Sequence, residues 1–538
     1  MQVQSIQQNK VQKNKEPQFK GIADTALRFL ATNQGVGANV TDVCFMVAPR
    51  VATDAKRGPD ACVETLRREA SGTFNHSMIG VYGVAAGATA AALMGLGNKF
   101  GTNANEIFAA PETINILAEN KSNQLKNKTL QLDYLKETFK NVKAFNPNAV
   151  GADKDGFVKL SQETIDELSK IFDNALNDKN MDFNTWKKHS TSDSLQVAMN
   201  KMIEATGAES KYILESADGK ISSVTPLENL LKDIYKVSDS FNKDKVKAAF
   251  EEQIRNGKSI KENAFLQKFS KFLKSRAIAG VAIGSLVGMS VQPLNVYLTK
   301  LKTGSDGFVG VEGRSKDTSA EFKLMKGVAA VGFGGLTMWT LGTGFKGLMD
   351  KMAFKVFFPT ISQLKGIYGL TIISRLLATR DKDELRESLT KDTLGFLSWL
   401  VLGDFVNRMT AEASDKSVMN RTKEVADNKN FFKRVFNSTL KTRDEILIET
   451  LAKNGVATVK KDGDKTIAKT FKELMKELDK LPEQIKKSTK KRLGTLNKAQ
   501  LVGYAFSGLV LGIGIPNLNI YITNKLDKQR KEKAAKAM

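Results

Sequence analysis

A long stretch with no charged side chain leaves a polypeptide two outcomes: it crosses a bilayer as a helix, or it is sealed inside a large core. This 538-residue chain has four such stretches, at 70–98 (neutral His76 aside, its apolar part starting at Met78), 277–299, 327–345 and 499–524. Each reaches the roughly 20 residues that a spanning helix needs. Two more, 356–378 and 393–407, are interrupted by Lys365 and Asp404. The last long stretch carries eleven Leu, Ile, Val or Phe residues between Leu501 and Ile522. At roughly −0.3 to −0.6 kcal/mol each near a bilayer centre, they supply about −3 to −7 kcal/mol before Asn, Pro and Gly subtract from it. The first stretch, mostly Ala and Gly, supplies much less. The expected fold is all-α, with multi-pass transmembrane helices and residence in a membrane.

The mean hydropathy is slightly negative, because these apolar blocks alternate with highly charged ones. The formal charge of +24 gathers beside the apolar segments, at Lys271, Lys274 and Arg276, at Lys486, Lys487, Lys490, Lys491 and Arg492, and from Lys525 to Lys536. That placement points to membrane lipid with anionic headgroups. No zinc-finger or RNA-binding signature accompanies it, so no nucleic acid is expected. Residues 1–20 are polar, lack the apolar core of a cleaved signal peptide, and read as a disordered lead-in.

The division that follows is 1–20 lead-in; 21–101 first membrane-associated helices; 102–270 a helical polar insert; 271–301 a Gly-rich helix; 302–409 central membrane helices; 410–498 a second helical insert; 499–524 a second Gly-rich helix; 525–538 a basic tail. Helical spacing within the inserts puts Leu125, Leu132, Leu135 and Phe139 on one apolar face, Leu168, Ile171 and Leu176 on another, and Leu230, Leu231, Ile234 and Val237 on a third.

An internal duplication is expected from two sequence matches. Residues 64–72 (ETLRREASG) lie over 387–395 (ESLTKDTLG), with Arg50 near Arg375 after a two-residue gap. Residues 294–299 (LNVYLT) match 518–523 (LNIYIT), and Gly284 and Gly288 then fall on Gly508 and Gly512. Repeats are common in transporters, where the site lies between halves. Flanking charge does not say whether the halves are parallel or inverted.

Gly280, Gly284 and Gly288, and likewise Gly508 and Gly512, recur every four residues, a spacing that lets helix backbones approach closely. Asn295 with Thr299, and Asn519 with Thr523, form polar pairs on one helix face. They are candidates for a substrate passage, together with Lys300, or for helix-to-helix hydrogen bonds, with Tyr297 and Tyr521 as interface anchors. Pro293 and Pro516 are expected to bend or break their helices. Two cysteines and two histidines assemble no metal set, and no catalytic motif or cofactor fingerprint is present. No enzyme activity is expected.

Residues 280–304, GVAIGSLVGMSVQPLNVYLTKLKTG, resemble the signature of the mitochondrial carrier family: a Gly-x-x-x-Gly helix, then Pro293, Leu294, Val296, Thr299, Lys300 and Leu301 at signature positions. Phe345-Lys346-Gly347-Leu348 is similar to the step that opens that family's even helices. The resemblance implies a six-helix solute carrier whose Pro-kinked helices are gated by salt bridges. The signature's acidic and first basic positions are here Asn295 and Leu298. Three readings remain open: a carrier-like transporter of a small solute with its passage between duplicated halves; a membrane scaffold whose inserts bind partners or anionic lipid; and a soluble helical protein with Gly-rich buried helices.

Overall fold

In a computed structural model of the chain, the described residues are 26–28, 30, 37, 39–40, 42–147, 149, 151–189, 191–309, 315–342, 348, 351–354, 360–462 and 465–537. The 1–20 lead-in and the 345–347 step of the carrier-like match lie outside them.

The fold is almost entirely helical and falls into a helix bundle and a body built from both inserts. The bundle helices are α1 (Ala48–Asp54), preceded by a π-helical turn Asp42–Val47; α2 (Pro59–Ser77); α3 (Ile79–Leu93); α4 (Ala264–Thr303); α5 (Ala320–Leu341); α6 (Ile361–Ala378); α7 (Lys382–Leu397); α8 (Gly403–Ser414); α9 (Glu483–Ser507); and α10 (Ile515–Ala537). Among the described residues, α4, α5 and the run Glu483–Arg530 are long and apolar enough to cross a membrane, and so is α2 with α3 taken as one span bent by 49°. These coincide with the four uncharged stretches. The two interrupted ones do not reach that standard.

Helix directions follow from side-chain pairings. Asp60 meets Lys302, Asn75 reaches the Gly284 carbonyl, and Gly87 abuts Arg276, so α2–α3 runs antiparallel to α4. Gly284 abuts Ile367, Gly288 abuts Thr371, and Ser374 reaches Met289, so α4 runs parallel to α6. The C-terminal part repeats the pattern. Asp383 pairs with Arg530 and the Glu387 carbonyl with Asn519, so α7 is antiparallel to α10. Phe45 packs on Tyr504 and Gly508, and Pro49 on Gly512, so the stretch 42–54 runs parallel to the helix 483–537. Each three-helix set thus lends its first helix to the third helix of the other set. The bend after α2 at Met78 and the π-helical turn Ser398–Leu402 after α7 also fall at matching places. Helix α5 returns antiparallel to α6, with Lys326 on the Leu377 carbonyl and Lys365 on the Thr340 carbonyl.

A Cβ on Gly280 would lie 3.2 Å from the Gly83 Cα, and one on Gly512 would lie 2.6 Å from the Phe45 carbonyl oxygen, so backbones approach closely at these two glycines, while Gly284 and Gly288 face the Ile367 and Thr371 side chains. Pro293 does not break its helix: α4 is continuous from Ala264 to Thr303. A proline frees the carbonyl four residues earlier, here that of Met289, and the Ser374 hydroxyl donates to it. Pro516 lies at the start of α10, just after the π-helical turn Gly508–Gly514.

The helices also correct the expected boundaries. The polar–apolar borders at 270 and 498 fall inside the continuous helices α4 and α9, and the basic tail continues α10. Both chain excursions leave and re-enter the bundle at one end, since α3 and α8 lead into them and α4 and α9 lead back. They share one core: Leu168, Phe172, Trp186 and Leu231 from the first pack with Leu447, Leu451, Leu474 and Leu478 from the second. Neither excursion is purely helical. The first holds an antiparallel sheet in the order β2–β1–β3, with β1 Val142–Phe145, β2 Phe157–Lys159 and β3 Tyr212–Leu214, and the second holds two antiparallel pairings, Met419–Asn420 with Thr439–Leu440 and Val459–Asp462 with Lys465–Ala468. The predicted faces are buried at Leu135, Phe139, Leu168, Ile171, Leu230, Leu231, Ile234 and Val237 and half-buried at Leu125, Leu132 and Leu176.

Candidate functional site: a charged cleft between two helix sets

Helix α2 presents Glu64, Thr65, Arg68 and Glu69, and α7 presents Glu387, Ser388, Lys391 and Asp392. In each, residues four apart share a helix face, and the two faces meet across the bundle. Arg57, just before α2, makes a bidentate contact with Glu387 at 2.9 and 2.7 Å. Arg380, just before α7, does the same with Glu64 at 3.3 and 2.7 Å and also binds Glu384 at 2.9 Å. The two pairings are reciprocal, because each arginine precedes its own helix's glutamate by seven residues and binds the other's.

Deeper in, Glu69 collects four cations: Arg68 at 3.0 Å, Arg50 at 3.2 Å, Lys391 at 3.7 Å and Arg375 at 3.8 Å. Asp392 pairs with Arg375 at 3.4 Å. Arg50 also lies against Gly395, and Arg375 against Gly72, where a side chain would press on the guanidinium. Arg50 and Arg375 are 1% and 3% exposed, and Nε and Nη2 of Arg50 and Nε of Arg375 have no hydrogen-bond partner among the described residues. Buried donors of this kind are costly. His76 is buried nearby with neither ring nitrogen bonded, packed edge-on to Tyr368 at 4.9 Å.

Arg50, Arg57, Glu64, Arg68, Glu387 and Lys391 line a cleft of about 40 Å³ walled by α1, α2, α7 and α10, while Glu69, Arg375, Arg380 and Asp392 are not part of its lining. The end of the cleft at Arg68 and Lys391, one helical turn beyond Glu64 and Glu387, is its inner part. Phe308 lines it too, with Arg57 and Arg380 stacked at 5.7 and 5.8 Å from its ring.

Of the polar pairs singled out in the sequence, Asn519 lines the cleft. Asn295 donates to the Glu64 carbonyl and Asn519 to the Glu387 carbonyl, both at 3.0 Å. Thr299 accepts from Arg67, and Thr523 accepts from Arg386 and donates to the Glu387 carboxylate. These are helix-to-helix bonds near the helix ends. Lys300 is largely exposed and faces Asp306. Tyr297 and Tyr521 point outward. Lys365 caps the Thr340 carbonyl, and Asp404 is an exposed partner of Arg408. Among the described residues no group of His, Cys, Asp or Glu is arranged to hold a metal.

The cleft itself was not singled out from the sequence. Asn519 and Pro516 were named there for other reasons, and most of its charged residues entered only as marks of similarity between 64–72 and 387–395. The available signal was the recurrence of Glu, of Arg or Lys, and of Glu or Asp at matching positions of those two stretches. Compared with known proteins, the chain matches no protein family, no curated protein and no solved structure.

Proposed function

We propose that the chain is a multi-pass integral membrane protein, formed by duplication of a three-helix unit, that carries a small polar solute through the cleft between its parallel halves. The supporting observation is the bundle's reversed polarity. Leu286, Leu294, Leu324, Val328, Val331, Trp339 and Leu509 are 55–77% exposed. Arg50, Glu64, Glu69, Arg276, Arg375, Arg380 and Asp392 are buried. Water would favour the opposite arrangement, and a hydrocarbon surround accounts for both halves of it.

The reciprocal pairing of Arg57 with Glu387 and Arg380 with Glu64 supports the duplication. The shared helix directions support a parallel repeat, with α5 as the extra crossing that returns the chain to the starting side. Both inserts then lie on one side of the membrane, and the 304–319 loop lies on the other. The proposal does not rest on the carrier signature, whose charged positions are occupied by Asn295 and Leu298. The solute is taken to pass unaltered.

The test is carbonate extraction, followed by labelling of single cysteines at 130, 430 and 305 in a chain lacking Cys44 and Cys62. The protein is expected to stay in the pellet, with 130 and 430 reacting from one side and 305 from the other. Release into the supernatant, or labelling of all three from one side, would sink the proposal.

A further inference from the structure

The cleft's hydrogen-bonding capacity is unevenly spent. At the rim stand four carboxylates, Asp54, Glu64, Glu384 and Glu387, and two guanidiniums, Arg57 and Arg380. All four carboxylates are engaged: Glu64 and Glu384 by Arg380, Glu387 by Arg57, and Asp54 by the Thr65 hydroxyl. The inner part differs. Four cations, Arg50, Arg68 and Lys391 in the lining and Arg375 outside it, face three carboxylates, Asp42, Glu69 and Asp392, so this end has one positive charge over, although the rim and this end together hold six cations and seven carboxylates. Asp42 is further engaged by the Thr73 hydroxyl.

The donors are in greater excess than the charge. Among the described residues Lys391 makes only a 3.7 Å ion pair with Glu69, outside hydrogen-bond range, so its three N–H groups have no hydrogen-bond acceptor among them. Arg50 uses one nitrogen of three, on Glu69, and Arg68 uses Nε and Nη2, on Glu69 and Thr65. Lys391, Arg68 and Arg50 all line the cleft, and the Ser388 and Thr65 hydroxyls lie in the same wall. Unused acceptors are scarce there and unused donors are plentiful. Such a site is complementary to a compact, acceptor-rich species, and a carboxylate or phosphate group supplies several acceptors on one small centre.

From this geometry we infer that the solute is a small anion bearing a carboxylate or phosphate group, bound at the inner end of the cleft between Lys391 and Arg68, with Arg50 behind them. This deepens the carrier reading and rests on it for the site's accessibility. The negative rim makes no lasting claim on the solute, because its carboxylates are already paired.

The test uses the full chain purified in detergent, with inorganic phosphate and succinate titrated separately in low-chloride buffer, and tetramethylammonium as a cation of similar size. Saturable binding of phosphate, succinate or both is expected; which one binds tells the two group chemistries apart. Lys391→Gln and Arg68→Gln are each expected to weaken it tenfold or more, the usual scale for losing a charge-assisted hydrogen bond. Lys154→Gln, on an exposed loop of the insert body, should leave it unchanged. The inference is overturned if the folded wild-type protein binds neither anion up to about 10 mM, if tetramethylammonium binds instead, or if Lys391→Gln melts like the wild type and binds equally well. The wild-type titration decides even where a variant fails to fold. A protein that resists carbonate extraction but binds no anion defeats this inference alone; one released by carbonate defeats the membrane reading.

Discussion

The bundle and the insert body solve the same problem, joining two distant parts of one chain, with opposite chemistry. In the bundle the seam between sets is ionic, with Arg57, Arg375 and Arg380 set against Glu387, Glu69 and Glu64, while the outer surface is aliphatic. In the insert body the seam is mainly apolar. Phe139, Phe172 and Trp186 stack edge to face at 4.9 and 4.8 Å, and Leu447, Ile448 and Leu451 close the core from the other excursion. Where hydrocarbon surrounds a protein, apolar contact inside gains little over apolar contact outside, so polar pairing must specify which helices meet. In water the hydrophobic effect does that work, at about 25 cal/mol per Å² of apolar surface buried.

The largest effect that tests this contrast is loss of a seam cation. Arg380 is 1% exposed and binds two glutamates. Arg380→Met leaves both carboxylates buried without it and is expected to cost about 3–5 kcal/mol, read as a lower melting temperature in detergent. Arg57→Glu combined with Glu387→Arg keeps the pair and reverses it, so it should recover part of the loss seen with Arg57→Glu alone. If Arg380→Met melts with the wild type, the seam is not ionic in the sense argued.

How far the chain could be read without coordinates follows from the same contrast. The four uncharged runs were legible because freedom from charge is a property of composition, and each falls on a helix, or a bent helix pair, long and apolar enough to cross a membrane. The likeness of 64–72 to 387–395 was legible too. Its meaning was not, because reciprocal binding requires knowing that Arg57 and Arg380 face the opposite helix, which local spacing does not encode. Borders at 270 and 498 were misread because α4 and α9 pass from water-facing to bundle-facing without a break, and helix continuity overrides the change in polarity. The sheet was missed because β2 and β3 have three residues each, too few to establish a period of two. That the helix runs on through Pro293, where a bend or a break was expected, was not legible because the hydroxyl that satisfies the freed carbonyl belongs to Ser374, far along the chain.

A medium-sized effect compares the two outer surfaces. Val331 on α5 is 77% exposed, and Leu130 in the insert body is 72% exposed. Equal exposure predicts equal tolerance if both face water. With lipid around the bundle, Val331→Arg should cost about 2.5–3.5 kcal/mol of insertion free energy and sharply reduce the yield in the membrane fraction. Leu130→Arg should stay within about 0.5 kcal/mol of wild type. Similar yields for the two variants would erase the distinction between the surfaces.

The smallest effect concerns acid groups at the second seam, where arginine is scarce. In the insert body Glu209 lies against Glu445, whose carboxylate accepts from the Ser210 amide and hydroxyl, and beside Asp444, which Arg28 binds. Burial first, then the charges of Asp444 and Glu445, push the Glu209 carboxyl up to about 8, with Thr442 and Arg28 only partly opposing this. Its unfolded value is about 4.3. A carboxyl raised on folding gives its full stabilisation below the unfolded value and loses it as pH climbs through the folded one, because the folded state holds a proton that the unfolded state has released. Glu209→Gln keeps the shape and fixes the neutral form. It should therefore raise stability by on the order of 1–2 kcal/mol at pH 8 and change little near pH 4.5. Melting curves at both pH values check this. A variant equally shifted at both, or less stable at pH 8, would mean that Glu209 is ionised in the folded chain and that this seam, like the bundle's, is held by charge.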